Sequence, residues 1–333
     1  ADVRIPKAQL ADLQLNLLRS HAAGVGDPLP IPVVRALLTL RANVLAKGFS
    51  GIRLSTLDAL IALANAGLHP HVPSRGSVGA SGDLAPLAHL ALVVVGEGRL
   101  LDADGRPGAT DDTGALAAAG LAPVPLEAKE GLALINGTQA SAAVLALAVI
   151  DAARLARAAD IACAMSIDAL RGSLHPFEAR IHAARPVPGQ ADSAKNLLAL
   201  LTGSGINASH AHCGKVQDAY ALRCAPQVHG SAREAIAFAH RLVEIEMNAA
   251  TDNPMVFAAD GDIVSGGNFH GAPVALAADT LTIGLAQLAT ISERRIDRMM
   301  SKAESGLPPF LIADGGLHSG LMMAHVTAAA LAS

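Results

Sequence analysis

The chain has 333 residues, 51% apolar but only 2% aromatic and without tryptophan, and its formal net charge is −4. That balance gives no basic footprint for nucleic acid, and three cysteines, Cys163, Cys213 and Cys224, are too few and too scattered for a disulfide framework. With no basic-plus-apolar signal pattern at the N-terminus, a reducing cytoplasm is the expected location.

The apolar mass is Ala, Leu, Val and Ile, which suits close-packed helices better than a β-sandwich. A mean hydropathy of +0.39 then describes an Ala-rich bundle. A membrane is not expected, because the longest apolar runs are cut by Asp83 and Glu97, or by Asp151 and Arg154, short of the roughly 18 to 20 residues a span needs.

Residues 6–22 open with Pro6 at a first helical position and place Leu10, Leu13, Leu17 and Leu18 at helical spacing. Ser20-His21 closes that helix before a turn ending at Pro28. Residues 31–47 and 54–66 predict two more helices, the second capped by Ser55 or Thr56. An extended connector, residues 69–73, leads to the glycine-rich stretch 76–84. The following helix is capped by Asp83 or Ser81, with Pro86 tolerated in its first turn. Residues 100–126 read as a peripheral hairpin or loop. From Thr138 to Leu170 neither Gly nor Pro intervenes, which predicts one helix of roughly 50 Å, apolar nearly all round and so central in a bundle. Two further long helices are predicted at about 231–250 and 273–302, ended by Asn253-Pro254 and Pro308-Pro309. The chain stops in mid-helix pattern at Ser333, which reads as a fragment or a cleaved chain.

The chemistry begins at Ala80-Ser81-Gly82. Without a Cβ, Gly82 permits turns that other residues resist. In such a turn its amide nitrogen can attack the Ala80 carbonyl and close a five-membered ring. Loss of water from Ser81 then leaves an exposed methylidene, a strong electrophile made from the chain itself. A helix N-terminus beside it favours developing negative charge. Farther on, a helix over 217–223 would put Gln217, Tyr220 and Arg223 within roughly 120° of arc, and Arg223 can grip a carboxylate through two parallel hydrogen bonds. Asn136-Gly137-Thr138 reads as a turn and N-cap before the long helix. His210, His212 and Cys213 have metal-like chemistry, but their spacing matches no common zinc pattern and no metal is expected. His89 reads as a structural histidine. No dinucleotide or Walker signature occurs.

The string GSVGASGDLAPLAHLALVVVGEG, residues 76–98, resembles the cofactor-forming segment of the aromatic amino acid ammonia-lyases, most closely the histidine ammonia-lyases, and the likeness extends from Arg4 to Ser333. It implies a mostly α fold with a long central helix bundle of the ammonia-lyase/fumarase-like type. Residues 1–130 would carry the cofactor loop and substrate selectivity and residues 131–333 the bundle, in one continuous domain incomplete at both ends. A 4-methylidene-imidazol-5-one (MIO) electrophile would form from Ala80, Ser81 and Gly82, with no metal or nucleotide. Arg223 would be the carboxylate clamp, and Gln217 and Tyr220 would face the electrophile and substrate. Asn136 would bond the imidazolone carbonyl or the substrate amine, and Phe269 would line an aromatic pocket. Ser20-His21 is similar to the selectivity pair of the histidine enzymes, so His21 would contact a substrate imidazole. The implied reaction is elimination of ammonia from L-histidine to urocanate, in a homotetramer whose sites combine three subunits. A phenylalanine or tyrosine lyase, an aminomutase, or a non-catalytic helical scaffold are the alternatives. Family enzymes also carry an earlier Tyr-Gly-x-x-Thr-Gly-Phe-Gly loop and a later glutamate, and neither motif is present here.

Overall fold

The structure, a computed structural model, describes residues 4–108 and 113–333; residues 109–112 of the expected excursion lie outside it. The fold is mostly helical, as the composition predicts. In chain order the helices are α1 (Leu10–His21), α2 (Ile31–Ala46), α3 (Leu54–Asn65), α4 (Leu84–Val94), α5 (Thr113–Ala118), α6 (Glu130–Ile135) and α7 (Gln139–Ala169). They continue as α8 (Ala179–Ala183), α9 (Pro188–Leu201), α10 (Gly205–Ser209), α11 (Tyr220–Arg223), α12 (Ala225–Met247), α13 (Ala272–Met300), α14 (Lys302–Ser305) and α15 (Met322–Ala332). Among the described residues, three short 3-10 helices (Lys7–Gln9, His175–Phe177 and Pro309–Leu311) and two short antiparallel pairs accompany them: β1 (Val25–Pro28) with β2 (Pro73–Arg75), and β3 (Met255–Phe257) with β4 (Asp262–Val264).

The chain forms two compact units: residues 1–147 with 241–277, and residues 148–240 with 278–333. In the first, α1, α4 and α6 pack on one another and α2 packs on α3. Their buried faces make one core that includes Leu18, Leu37, Leu38, Leu60, Leu87, Leu90 and Leu134. In the second, Cys163, Ile167, Phe177, Leu197, Leu222 and Ala225 form a core around the C-terminal half of α7. Gly284 lets α13 approach α12 closely there, since a Cβ at 284 would stand 2.5 Å from the Ala235 Cβ.

The long helix matches its predicted span within a residue at each end. Three expectations are corrected. The cap of α3 is Arg53, with no side-chain bond, in place of Ser55 or Thr56. α12 starts at Ala225, not near 231, because Pro226 falls in a first turn where its missing N–H costs nothing. Only Tyr220–Arg223 of the predicted 217–223 helix is helical: the Asp218 carboxylate instead accepts from the Ser173 N–H at 2.6 Å and from Lys215 Nζ at 3.1 Å. In addition, among the described residues Glu130–Ala169 and Ala272–Met300 are long and apolar enough to cross a membrane by length and composition alone; 67% of the first window is buried.

Candidate functional site

In the first unit the loop carrying Ala80, Ser81 and Gly82 is held from two sides. Asp83 N–H donates to the Gly137 carbonyl at 2.6 Å, and Gly271 N–H donates to the Gly79 carbonyl at 2.7 Å. Gly82 has φ +80, and a Cβ on it would lie 2.7 Å from the Gly137 oxygen and 3.2 Å from the Phe269 oxygen. Only glycine fits that cradle. Ala80 and Ser81 stay exposed while Gly82 and Asp83 are buried. The serine therefore faces outward from a backbone clamped just behind it, a fit for the ring that Ala80, Ser81 and Gly82 would form.

Asp83 does something the sequence reading missed. It occupies the N-cap position of α4 but makes no side-chain cap bond there. Its carboxylate instead accepts from the Ser141 N–H at 2.7 Å, the Ser141 hydroxyl at 2.7 Å and the Ser77 hydroxyl at 2.5 Å. One acid thus caps α7 and ties both ends of the loop to it. Three helices consequently begin on the loop: α4 after Asp83, α7 through Ser141 and α13 after Gly271. Each brings the positive end of its peptide dipole to the loop, beside the carboxylate of Asp83.

Asn136 is buried in the joint between α6 and α7. Its side-chain N–H donates to the Asn253 carbonyl at 2.7 Å, leaving a second N–H and the oxygen to offer. Behind it stands Arg41, fully buried, which donates to the Asn136 carbonyl at 2.9 Å, to Gln139 Oε1 at 2.5 Å and to the Ala133 carbonyl. Burial pulls its pKa down to about 10, against the attraction of Asp252 and Asp83. The signal for Arg41 was in the sequence: a cation four residues past Leu37 on the apolar face of α2. Burial also raises the Glu246 carboxyl, helped by the charge of Asp83, while a bond from Thr138 opposes the rise.

His21 ends α1, and three residues separate it from β1. Val25 pairs with Arg75, immediately before Gly76, and the Gly24 N–H donates to His89 Nε2 at 3.0 Å. His89 is therefore an acceptor and neutral, its pKa lowered to about 4 by burial and by His71, in keeping with the structural role read for it. His21 Nδ1 lies 2.8 Å from the Leu17 carbonyl, which can only accept. Nδ1 is therefore the donor, and in the neutral ring Nε2 would carry the lone pair. Phe269 is half-buried, its backbone against Gly82.

The remaining candidates belong to the second unit. Gln217 and Arg223 line a cavity of about 720 Å³ together with Arg171, His175, His210 and Lys215. The Arg223 guanidinium lies 4.7 Å from the centre of the Tyr220 ring, and its Nε is buried without a hydrogen bond. Gln217 lies outside α11, so it shares the cavity lining with Arg223 but not a helix face. Among the described residues Arg223 has no carboxylate partner, and the cavity lining holds Arg171, Lys215 and Arg223 against the single carboxylate of Asp218, which Lys215 pairs. Among the described residues no group of three or more His, Cys, Asp or Glu could hold a metal ion.

The family model described as "Aromatic amino acid lyase" matches residues 1–333. A histidine ammonia-lyase of Anaeromyxobacter sp. (strain K) is 59% identical, covering 100% of this chain and 67% of that protein. Among solved structures, the histidine ammonia-lyase of Trypanosoma cruzi superposes with a TM-score of 0.90 at 48% identity, over 100% of this chain and 62% of that one. The tyrosine aminomutase of Streptomyces globisporus gives 0.92 at 42% identity, over 99% and 65%. The chain spans about two thirds of the length of the curated relatives it matches.

Proposed function

The chain belongs to the aromatic amino acid lyase family, and from that premise we propose that it acts in a histidine ammonia-lyase, eliminating ammonia from L-histidine to give urocanate. The observation that carries this reading is the clamped loop, with an exposed Ser81 beside a Gly82 that no other residue can replace. The methylidene-imidazolone made from Ala80, Ser81 and Gly82 would supply an electrophile able to capture the amine or the ring of the substrate.

The chain's own residues supply the rest. Arg223 binds the substrate carboxylate through its planar fork, in a cavity whose cations favour an anion. Its stacking on Tyr220 orients the guanidinium and places the phenol beside the carboxylate end. His21 in its neutral form accepts the substrate imidazole N–H at Nε2, the ring nitrogen that Leu17 does not engage. Asn136 offers its remaining amide N–H or oxygen to the imidazolone carbonyl or the substrate amine, and Phe269 borders the aromatic pocket. The three helix N-termini stabilise negative charge as it develops near Ser81. Three free thiols accord with a cytoplasmic enzyme. We further propose a homotetramer whose sites draw on several copies, with a small amino acid as ligand and neither nucleic acid nor membrane as partner.

Two measurements test this. Intact mass should show loss of two waters from the wild type and none from Ser81→Ala, which should fold normally yet make no urocanate. An unmodified wild-type mass in assembled, folded protein would refute the reading. The likeness to a tyrosine aminomutase favours one second reading. Assays with L-tyrosine and L-phenylalanine, scored for β-amino products, decide it.

A further inference from the structure

We propose that Arg295 is a positioning residue for the carboxylate clamp: held through His229 by Asp160, it pins the backbone of the short helix that carries Tyr220 and Arg223. The inference rests on the reading of Arg223 given above.

α11 is only four residues long and follows irregular chain, so it has no helical stability of its own. Cys224 joins its C-terminal end to α12, and two further attachments fix it. Leu222 is buried in the core of the second unit with Phe177 and Leu197. The Ala221 carbonyl accepts from Arg295 Nη1 at 3.3 Å. Arg295, on α13, is 2% exposed, and one of its nitrogens, Nη2, is buried without a partner. The same Nη1 lies 3.3 Å from His229 Nε2. An Nη1 carries two hydrogens, so both contacts form together.

The histidine's polarity follows from its other side. His229 Nδ1 is 2.8 Å from Asp160 Oδ1. A carboxylate only accepts, so Nδ1 bears the proton and Nε2 offers the lone pair that Arg295 needs. Asp160 is itself immobilised by Ser193 Oγ at 2.7 Å, Asn196 Nδ2 at 3.0 Å and Arg233 Nη2 at 2.5 Å. The order of donation therefore runs from Arg295 to His229 to Asp160 on one side, and from Arg295 to the Ala221 carbonyl on the other. A buried cation separated from its nearest carboxylate by a neutral imidazole is a poor device for stability, which an apolar side chain would serve better. As a director of one carbonyl on the clamp helix, it has a use.

The test compares ligands with and without a carboxylate, on the assembled protein. His229→Leu removes the relay. His229→Gln keeps one donor and one acceptor. Arg295→Met removes the pin, and Arg295→Lys serves if the Met variant does not assemble. KM for L-histidine should rise about 10-fold or more in His229→Leu and Arg295→Met. The turnover number should stay within a few-fold, and so should the inhibition constant of histamine, which lacks the carboxylate. His229→Gln should restore a near wild-type KM. A KM unchanged in folded His229→Leu and Arg295→Met overturns the proposal, as does a matching rise for histamine, which would mark general loosening. If Arg223→Lys leaves KM unaltered, the clamp reading has failed. If it raises KM while His229→Leu does not, only this inference has.

Discussion

At the residue scale the loop leaves almost no chemical latitude. Gly82→Ala would put a methyl 2.7 Å from the Gly137 oxygen at a backbone φ of +80. Strain in that region costs an L-residue about 1–2 kcal/mol before the clash is counted. The expected outcome is a lower melting temperature together with an unmodified intact mass, because the clamp that aims the Gly82 nitrogen at Ala80 has been pushed open. Arg41→Met tests the support behind the Asn136 turn. It leaves the Ala133 and Asn136 carbonyls buried without their donor, at about 1–3 kcal/mol each, and urea denaturation should show the loss. His89 adds a pH dependence whose sign is fixed. Its folded pKa is lowered to about 4, from an ordinary value of 6.5, so the unfolded chain binds more protons between those values. Stability from this group is fully present above about pH 6.5 and is lost as pH falls through 4. His89→Gln keeps an acceptor for the Gly24 N–H yet does not titrate. Its melting temperature should fall less than that of the wild type across this window, and parallel curves would contradict the assignment.

At the scale of elements, legibility followed the range of the forces. α7 was readable because its limits are local: no Gly or Pro lies between Thr138 and Leu170, and Gly137 stands just before them. The 217–223 helix was not, because the residue that ends it, Asp218, is claimed by the Ser173 amide 45 positions away. No periodicity records such a bond. Asp83 was found and misassigned for the same reason. Its acidity marked a cap, but the amide it caps, that of Ser141, lies 58 positions later. Arg41 stood in plain view on an apolar face, and only the fold shows that it serves the carbonyls of α6. The crossing of α12 and α13 offers a clean test at this scale. Gly284→Leu has nowhere to put its side chain against Ala235, and overpacking of this kind costs about 1–3 kcal/mol. A melting temperature unchanged in Gly284→Leu would mean that the helices separate freely there.

At the scale of the whole molecule, the proposed chemistry is divided. The electrophile loop and His21 belong to one unit, and Arg223, Tyr220 and Gln217 to the other. Within the second unit α7 also exposes Ile150, Leu155, Ile161 and Met165, which fall within roughly 140° of arc. Water is a poor neighbour for such a face, and in the homotetramer proposed above further copies of the chain would cover it. If sites are completed between copies, each needs an intact loop from one chain and an intact clamp from another. Ser81→Ala and Arg223→Met would then be inactive alone. Unfolded together and reassembled at equal amounts, they should recover about a quarter of wild-type activity, since half the chains offer a working loop and half a working clamp. Were both halves of each site drawn from the same copy, every mixed assembly would hold only broken sites and the mixture would stay as inactive as its parents. Coexpression with two different affinity tags, followed by sequential capture and a urocanate assay, separates these outcomes, and the mass of the captured species reports the number of copies that make it.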